Sequence, residues 1–223
     1  MSIIQRFARN TAGRDFVVGD IHGMFAKLRY ELANISFNEQ TDRLLSVGDL
    51  VDRGPDSEES IDWIAKPWFH AVRGNHEQMA IGVAAGKHDV GNYVMNGGGW
   101  FMQMSEAKQK LYAKAFDELP YLIEVDTNRG RVGIVHAEIQ GDSWDKFVKD
   151  MTGAPSNNKF YDFKEIALWA RQRIRVGLAS EINDLHALYV GHTPVQPGVI
   201  LGNVHYIDTG AVFGKTMTIE EIT

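Results

Sequence analysis

Five times along this chain a short, strand-like apolar run breaks off into a cluster of glycine, aspartate, asparagine and histidine. Phe16-Val17-Val18 runs into Gly19-Asp20-Ile21-His22-Gly23, and Leu44-Leu45-Ser46-Val47 into Gly48-Asp49-Leu50-Val51-Asp52-Arg53-Gly54. Phe69 to Val72 leads into Arg73-Gly74-Asn75-His76-Glu77, Val132 to Val135 into His136, and Leu188 to Val190 into Gly191-His192. Runs this short and apolar, closed by turn residues, read as buried strands. Helical patterns separate them. Phe25, Leu28, Leu32 and Ile35 share one helix face and pack into the core. A second helix is expected from Asp56, with Glu59 as capping-box partner and Ile61, Ile64 and Ala65 buried, and a third from about Ser105 to Leu119.

Strand, helix, strand, helix, strand over the first 75 residues implies right-handed βαβ units and an α/β fold. Ligands of such sheets gather beyond the carboxyl ends of the strands, so the polar clusters should converge. Two more strands are expected at Val204 to Ile207 and Lys215 to Ile219, around Asp208-Thr209-Gly210-Ala211. They leave open a mixed sheet or two packed sheets. Residues 138–163, with Gly141, Gly153 and Pro155, are polar and turn-rich and read as a variable surface loop near the site.

The composition removes whole classes of chemistry. The 223 residues suit one catalytic domain spanning 1–223, and the 44% hydrophobic share can bury a sizeable core. The absence of cysteine excludes disulfides, Cys-ligated zinc, iron–sulfur clusters and a thiol nucleophile. A net charge of -6 argues against stable nucleic-acid or anionic-membrane binding, so any phosphate recognition is local. Met1 to Gly13 has no apolar signal core and no long apolar span follows, so a cytoplasmic location is expected.

The clusters themselves suggest metal chemistry. Asp20 and His22, two residues apart at an extended strand exit, can chelate one ion. Asp49 can bridge two ions. Asn75 offers a hard, neutral amide oxygen, and His136 and His192 add imidazoles at strand ends. Together these six form a mixed oxygen and nitrogen set for two divalent ions about 3.5–4 Å apart, able to position and ionise a water. His76 can donate a proton, and Arg73 suits bidentate phosphate binding.

The motifs GDIHG, GDLVDRG and RGNHE, followed by two later histidines, resemble those of the phosphoprotein phosphatases, a family within the metallophosphoesterases. VRGNHEQM, NGGGWF, GHTP and YIDTGAVF are similar to the subgroup of the small phage lambda enzyme and its bacterial relatives. The resemblance runs from Gly19 through Gly210. It implies mixed β-sheets packed as a central sandwich with flanking helices and a dinuclear site at the strand ends. It implies two divalent ions, usually manganese, one held by Asp20, His22 and Asp49 and the other by Asp49, Asn75, His136 and His192. The implied reaction is hydrolysis of phosphoserine and phosphothreonine in proteins, with phosphotyrosine also accessible, by in-line attack of a metal-bridging hydroxide. His76 then protonates the leaving oxygen, Asp52 orients His76, and Arg53, Arg73 and Arg171 stabilise the phosphoryl charge. Phosphoproteins or phosphopeptides are the implied partners, and the chain is expected to act as a monomer.

Glu138 departs from the pattern, because where this chain has His136-Ala137-Glu138 the lambda-like enzymes tend to have His-Ala-Asp and the eukaryotic ones His-Gly-Gly. As a longer carboxylate near the metals, Glu138 could adjust the residues behind them or contact substrate. Arg171 matches a family arginine in a short Trp-x-Arg context, with Arg173 and Arg175 close by. His70, His88, His186 and His205 read as ordinary surface or core imidazoles, although His205 stands in the run leading to Asp208. Met79, Met95, Met102, Met104, Trp100 and Phe101 read as core filler or pocket wall without chemistry. Gly214-Lys215-Thr216 fails as a phosphate-binding loop because Thr209 stands where its first glycine is required. His76-Glu77 fails as a zinc-protease motif because position 80 is Ala80. Within the same chemistry the rivals are dinucleoside tetraphosphate and RNA-end hydrolysis. The tetraphosphatases typically carry Ala and Asp where Asp52 and Glu77 stand. A noncatalytic scaffold would be expected to have lost ligands, and none of the six is missing.

Overall fold

The computed structural model describes residues 2–153 and 162–222. In chain order its strands are β1 (Ile4–Phe7), β2 (Asp15–Val18), β3 (Arg43–Ser46), β4 (Phe69–Ala71), β5 (Leu122–Thr127), β6 (Gly130–Val135), β7 (Ala187–Val190), β8 (Val199–Leu201), β9 (Val204–Tyr206) and β10 (Ile219–Glu221). The described residues build two mixed sheets, one ordered β10-β2-β3-β4 and the other β1-β5-β6-β7-β9-β8. Strands β2, β3 and β4 pair in parallel, as the βαβ pattern requires, and β10 joins β2 antiparallel.

The sheets face each other. Val17, Leu45, Val47 and Val72 from the smaller sheet interlock with Ile123, Val125, Val132, Ile134 and Ala187 from the larger. This shared layer explains why the first three strand runs lack polar alternation: both of their faces are buried. On the outer face of the smaller sheet, Phe25, Leu28 and Leu32 of helix Phe25–Asn34 pack with Trp63, Met79, Val83 and Phe116. The larger sheet is covered by Trp144, Phe147, Ala167 and Leu168. Helices thus flank a β-sandwich, and the carboxyl ends of β2, β3, β4, β6 and β7 meet at one edge of the seam.

Local competition shifted several element boundaries. The helix expected from Asp56 begins as a 3-10 turn, Ser57–Glu59, and becomes α-helical over Ser60–Ile64. Asp56 makes no cap there, because its side chain instead accepts the N–H of Ala26. Glu59 likewise pairs with Arg29. The buried face is Ser60 and Trp63, whereas Ile61 and Ile64 are only partly covered and Ala65 is exposed. The helix expected over Ser105 to Leu119 is present as Glu106–Glu118, capped by the Ser105 side chain.

Within 138–163, Trp144–Thr152 is a helix that buries Trp144, Phe147, Val148 and Met151, with the Ser143 hydroxyl as cap. The rest of that range includes 154–161, which lies outside the described residues. The last strand begins at Ile219 rather than Lys215. No helix among the described residues is long and apolar enough to cross a membrane.

Candidate active site

All six expected ligands are buried together at the seam. Asp20, His22, Asp49, Asn75, His136 and His192 are at most 6% exposed. The smaller sheet contributes the first four, and the larger sheet contributes His136 and His192 at the exits of β6 and β7. Sharp turns aim these side chains. Among the described residues, seven non-glycine residues have positive φ, and five of them are His22, Asp49, Asp52, Arg53 and His192. Each such residue costs about 1–2 kcal/mol in the left-handed region. Their concentration here shows that packing holds a strained site in shape. Gly191 serves a different need: a Cβ there would lie 2.0 Å from Oδ1 of Asp20. Removing it lets the His192 loop close over that carboxylate, which accepts the His192 N–H at 3.1 Å.

Hydrogen bonds fix the tautomers. Nδ1 of His22 lies 2.8 Å from the carbonyl of Val51, and Nδ1 of His136 lies 2.8 Å from that of Val47. A carbonyl only accepts, so both Nδ1 atoms carry the proton and both Nε2 atoms keep a lone pair. His192 is reversed, because its Nε2 donates to the Trp169 carbonyl and leaves Nδ1 bare.

The bare nitrogens converge on oxygen. Oδ1 of Asn75 stands 2.8 Å from Nε2 of His136 and 2.9 Å from Nδ1 of His192. Asp49 lies 3.4 Å from His136 and 3.6 Å from His22. Around Asn75, His136 and His192 lone pair faces lone pair at these distances, which is repulsive without a cation among them, whereas at His22 the Arg53 guanidinium donates to Nε2. Asp49, His136 and His192 could hold one ion, and His22 with Asp49 another. Oδ2 of Asp20 is 3.9 Å from Nε2 of His22 and completes that second group. His76 also borders it, through Nε2 at 3.8 Å from Oδ2 of Asp49, while its Nδ1 bonds Asp52.

Electrostatics point the same way. Burial, aided by the nearby His76 and Arg53 charges, lowers His22 to about 3, and burial with His136 lowers His192 to about 3. Both are therefore neutral ligands at physiological pH. Burial, Asp208 and Asp49 push Asp20 well above the usual carboxylate range, and burial with Asp49 pushes Asp208 to about 6 and Glu77 to about 7. Crowded buried carboxylates beside neutral imidazoles fit divalent cations, which would relieve the repulsion.

Beside the ligands, Nδ1 of His76 lies 2.6 Å from Oδ2 of Asp52. Burial works to lower His76, but the Asp49 charge and the Asp52 bond outweigh it and raise the imidazole above its ordinary value. Arg53 reaches over the cluster to the Nε2 atoms of His22 and His76. The Arg171 charge is felt at His136, His192, Asp49 and Asp20. Arg173 turns away to Asp142 and Ser180.

Arg73 is not brought into this set. Its buried guanidinium bonds Gln78, the Tyr121 hydroxyl and Asp117, and lies over the Tyr121 ring. The pull of Asp117 and Tyr121, more than 40 residues away in sequence, turns it from the position expected of a phosphate clamp.

Several site residues were not singled out from the sequence for chemistry. Glu77 accepts the N–H groups of Gly74, Asp49 and Leu50, tying two ligand loops together. Asp208 stands beside Asp20, and its place at a strand exit was the available signal. Trp100 and Tyr93 both donate to Oδ1 of Asp52. Glu138 accepts the N–H groups of Gln172 and Arg173. His205 pairs with Glu220 and stacks near Tyr189, and His70 packs on Phe7.

Comparison with known proteins agrees with this geometry. Residues 16–206 match the family model for calcineurin-like phosphoesterases. Serine/threonine-protein phosphatase 1 of Salmonella typhimurium is 37% identical over 99% of this chain and 97% of its own length. A symmetrical bis(5'-nucleosyl)-tetraphosphatase of Methylococcus capsulatus is 42% identical, but over only 32% of this chain and 26% of its own. Among solved structures, a candidate diadenosine tetraphosphatase superposes with a TM-score of 0.67 at 19% identity, covering all of this chain and 94% of that one. A serine/threonine phosphatase of Saccharomyces cerevisiae superposes with a TM-score of 0.62 at 16% identity, covering 99% and 84%. At such identities the two structures speak for the fold alone. From the family match, the full-length relative and the ligand cluster at the sandwich seam, this chain belongs to the calcineurin-like phosphoesterases.

Proposed function

We propose that the chain, as one catalytic domain, is a metal-dependent phosphomonoesterase acting on phosphoserine and phosphothreonine in proteins, with phosphotyrosine as a further substrate. The observation that carries this reading is the Asp52–His76 pair at 2.6 Å beside the ligand cluster. A serine alkoxide is a poor leaving group and needs a proton as it departs, whereas a nucleotide phosphate leaves readily without one. A buried carboxylate devoted to an imidazole therefore favours monoester over tetraphosphate hydrolysis. The full-length relatives, named serine/threonine-protein phosphatases, support the same substrate class.

In this reading Asp20, His22 and Asp49 hold one divalent ion and Asp49, Asn75, His136 and His192 the other, with manganese as the expected metal. When bound, the pair supplies Lewis acidity toward the phosphoryl oxygens and a nucleophile drawn from water. Arg53 and Arg171 clamp the phosphoryl group as negative charge builds on it. With Arg53 turned from Nε2 of His76 onto the phosphoryl group, His76 takes up a proton at Nε2 and gives it to the leaving oxygen, and Asp52 holds the ring by Nδ1. Arg73 anchors the fold at Asp117. Activity as a monomer is part of the same reading.

The test is phosphate release from a phosphoserine peptide by chelator-stripped protein, with and without manganese, beside His76→Asn. Manganese-dependent release that falls about 10²-fold or more in the variant is expected. Full activity in His76→Asn removes the proton-donor assignment, and faster hydrolysis of diadenosine tetraphosphate than of the peptide reverses the choice of substrate.

A further inference from the structure

The Asp52 carboxylate, fully buried, takes three donors. His76 occupies Oδ2, while the Tyr93 hydroxyl at 2.9 Å and the Trp100 indole N–H at 2.6 Å both serve Oδ1. The last two come from one short segment: a helical turn over Val90–Tyr93, a π turn over Val94–Gly98 and another helical turn over Gly99–Met102. Its glycines let it close onto the site. A Cβ on Gly97, which has φ +105°, would lie 2.6 Å from the Arg53 nitrogen, and one on Gly98 would lie 2.4 Å from the Tyr93 ring. The Gly97 carbonyl also accepts the Arg53 N–H. Filling space needs only apolar rings. Two polar donors aimed at one carboxylate oxygen do something more.

We propose that Tyr93 and Trp100 are positioning residues for the proton donor His76, acting through Asp52. A carboxylate with one partner can swing about its Cβ–Cγ bond. With both donors on Oδ1 the swing is blocked, and Oδ2 must face Nδ1 of His76. The imidazole is then fixed with Nε2 toward the leaving oxygen. As the water-derived oxygen bonds to phosphorus, the P–O bond to serine breaks and its electron pair leaves with the serine oxygen, which takes the Nε2 proton. The Nδ1 proton stays on the bond to Asp52. Loosening the clamp misplaces the proton donor without removing it, and misplacement of such a group by about 1 Å is enough to slow a reaction severely.

This inference rests on the phosphomonoesterase reading, and the choice of leaving group separates the two. The manganese-loaded protein is assayed on a phosphoserine peptide, whose leaving oxygen needs a proton, and on 2,4-dinitrophenyl phosphate, whose leaving group does not. In Tyr93→Phe and Trp100→Phe the ratio of kcat on the peptide to kcat on the aryl ester should fall about tenfold or more, and it should fall further in His76→Asn. An unchanged ratio, whether both rates fall together or neither falls, overturns the positioning role. If the unsubstituted protein hydrolyses neither ester, the phosphomonoesterase reading fails and the inference falls with it. Tyr93→Phe removes one oxygen and keeps the ring, so the test stands even if Trp100→Phe does not fold.

Discussion

Glu138 accepts the backbone N–H of Arg173 at 2.6 Å with one carboxylate oxygen and that of Gln172 at 2.8 Å with the other. It thereby caps the short helix Gln172–Val176, whose preceding residue is Arg171. The residue that departs from the family pattern thus holds the segment that carries Arg171, the arginine proposed to clamp the phosphoryl group. Arg171→Ala should raise KM for a phosphopeptide about tenfold, while changing stability by no more than about 0.5 kcal/mol. Glu138→Ala should lose about 1 kcal/mol of stability through the missing cap and also raise KM. Steady-state kinetics beside urea unfolding checks both. An unchanged KM in Glu138→Ala would disconnect the cap from the arginine.

Arg73 and Arg171 should behave as opposites. Arg73 is 2% exposed and bonds Asp117 and Tyr121, so Arg73→Ala empties a buried space and takes the donor from the buried Tyr121 hydroxyl. A loss of about 2–3 kcal/mol in unfolding free energy is expected, far more than for Arg171→Ala. Metal affinity of the folded protein should hold. The reverse order of the two stability losses would return Arg73 to the phosphate.

Metal entry should expel protons near pH 6. Burial and neighbouring carboxylates raise Asp20, place Asp208 at about 6 and Glu77 at about 7, while His22 and His192 are already neutral. The protons displaced by manganese therefore come from the carboxyls and His76 rather than from His22 or His192. Calorimetric titration with manganese in buffers of differing ionisation enthalpy should show more protons released at pH 6 than at pH 8.5, and fewer at pH 6 in Asp208→Asn. Equal release at both values would contradict the raised carboxyls.

His70 gives a pH effect remote from the metals. Burial, with the nearby Arg43 charge, lowers it to about 4, whereas an unfolded histidine titrates near ~6.5. Between those values the unfolded chain binds the extra proton, so this residue makes stability fall as pH falls through that window. The difference in urea midpoint between the unsubstituted protein and His70→Gln should shift against the former from pH 7 to pH 5. A constant difference would mean that His70 titrates normally in the fold.

The site was more legible in the sequence than the walls around it. Asp20, Asp49, Asn75, His136 and His192 each follow an apolar run with at most two residues between, so local pattern alone located them at strand exits. Arg73 has the same local signature, yet its direction is decided by Asp117 and Tyr121, which no local window contains. The contacts of Asp52 with Tyr93 and Trp100 span 41 and 48 residues, and an indole in an apolar stretch reads as core until its N–H partner is known. The helix Trp144–Thr152 was legible after all. Trp144, Phe147, Val148 and Met151 fall at helical spacing, but the surrounding glycines and polar residues obscured it. At Asp56 the capping pattern misled, because the carboxylate found a better donor at Ala26 across the fold.

The ligands are divided between the two sheets: Asp49 and Asn75 extend from one, His136 and His192 from the other. Ions held by both would rivet the halves of the sandwich together, closing long stretches of chain as a crosslink does. A protein without a single cysteine would thus gain from its metal what other chains gain from a disulfide. Its lifetime against proteases, and not only its turnover, would then follow the metal supply.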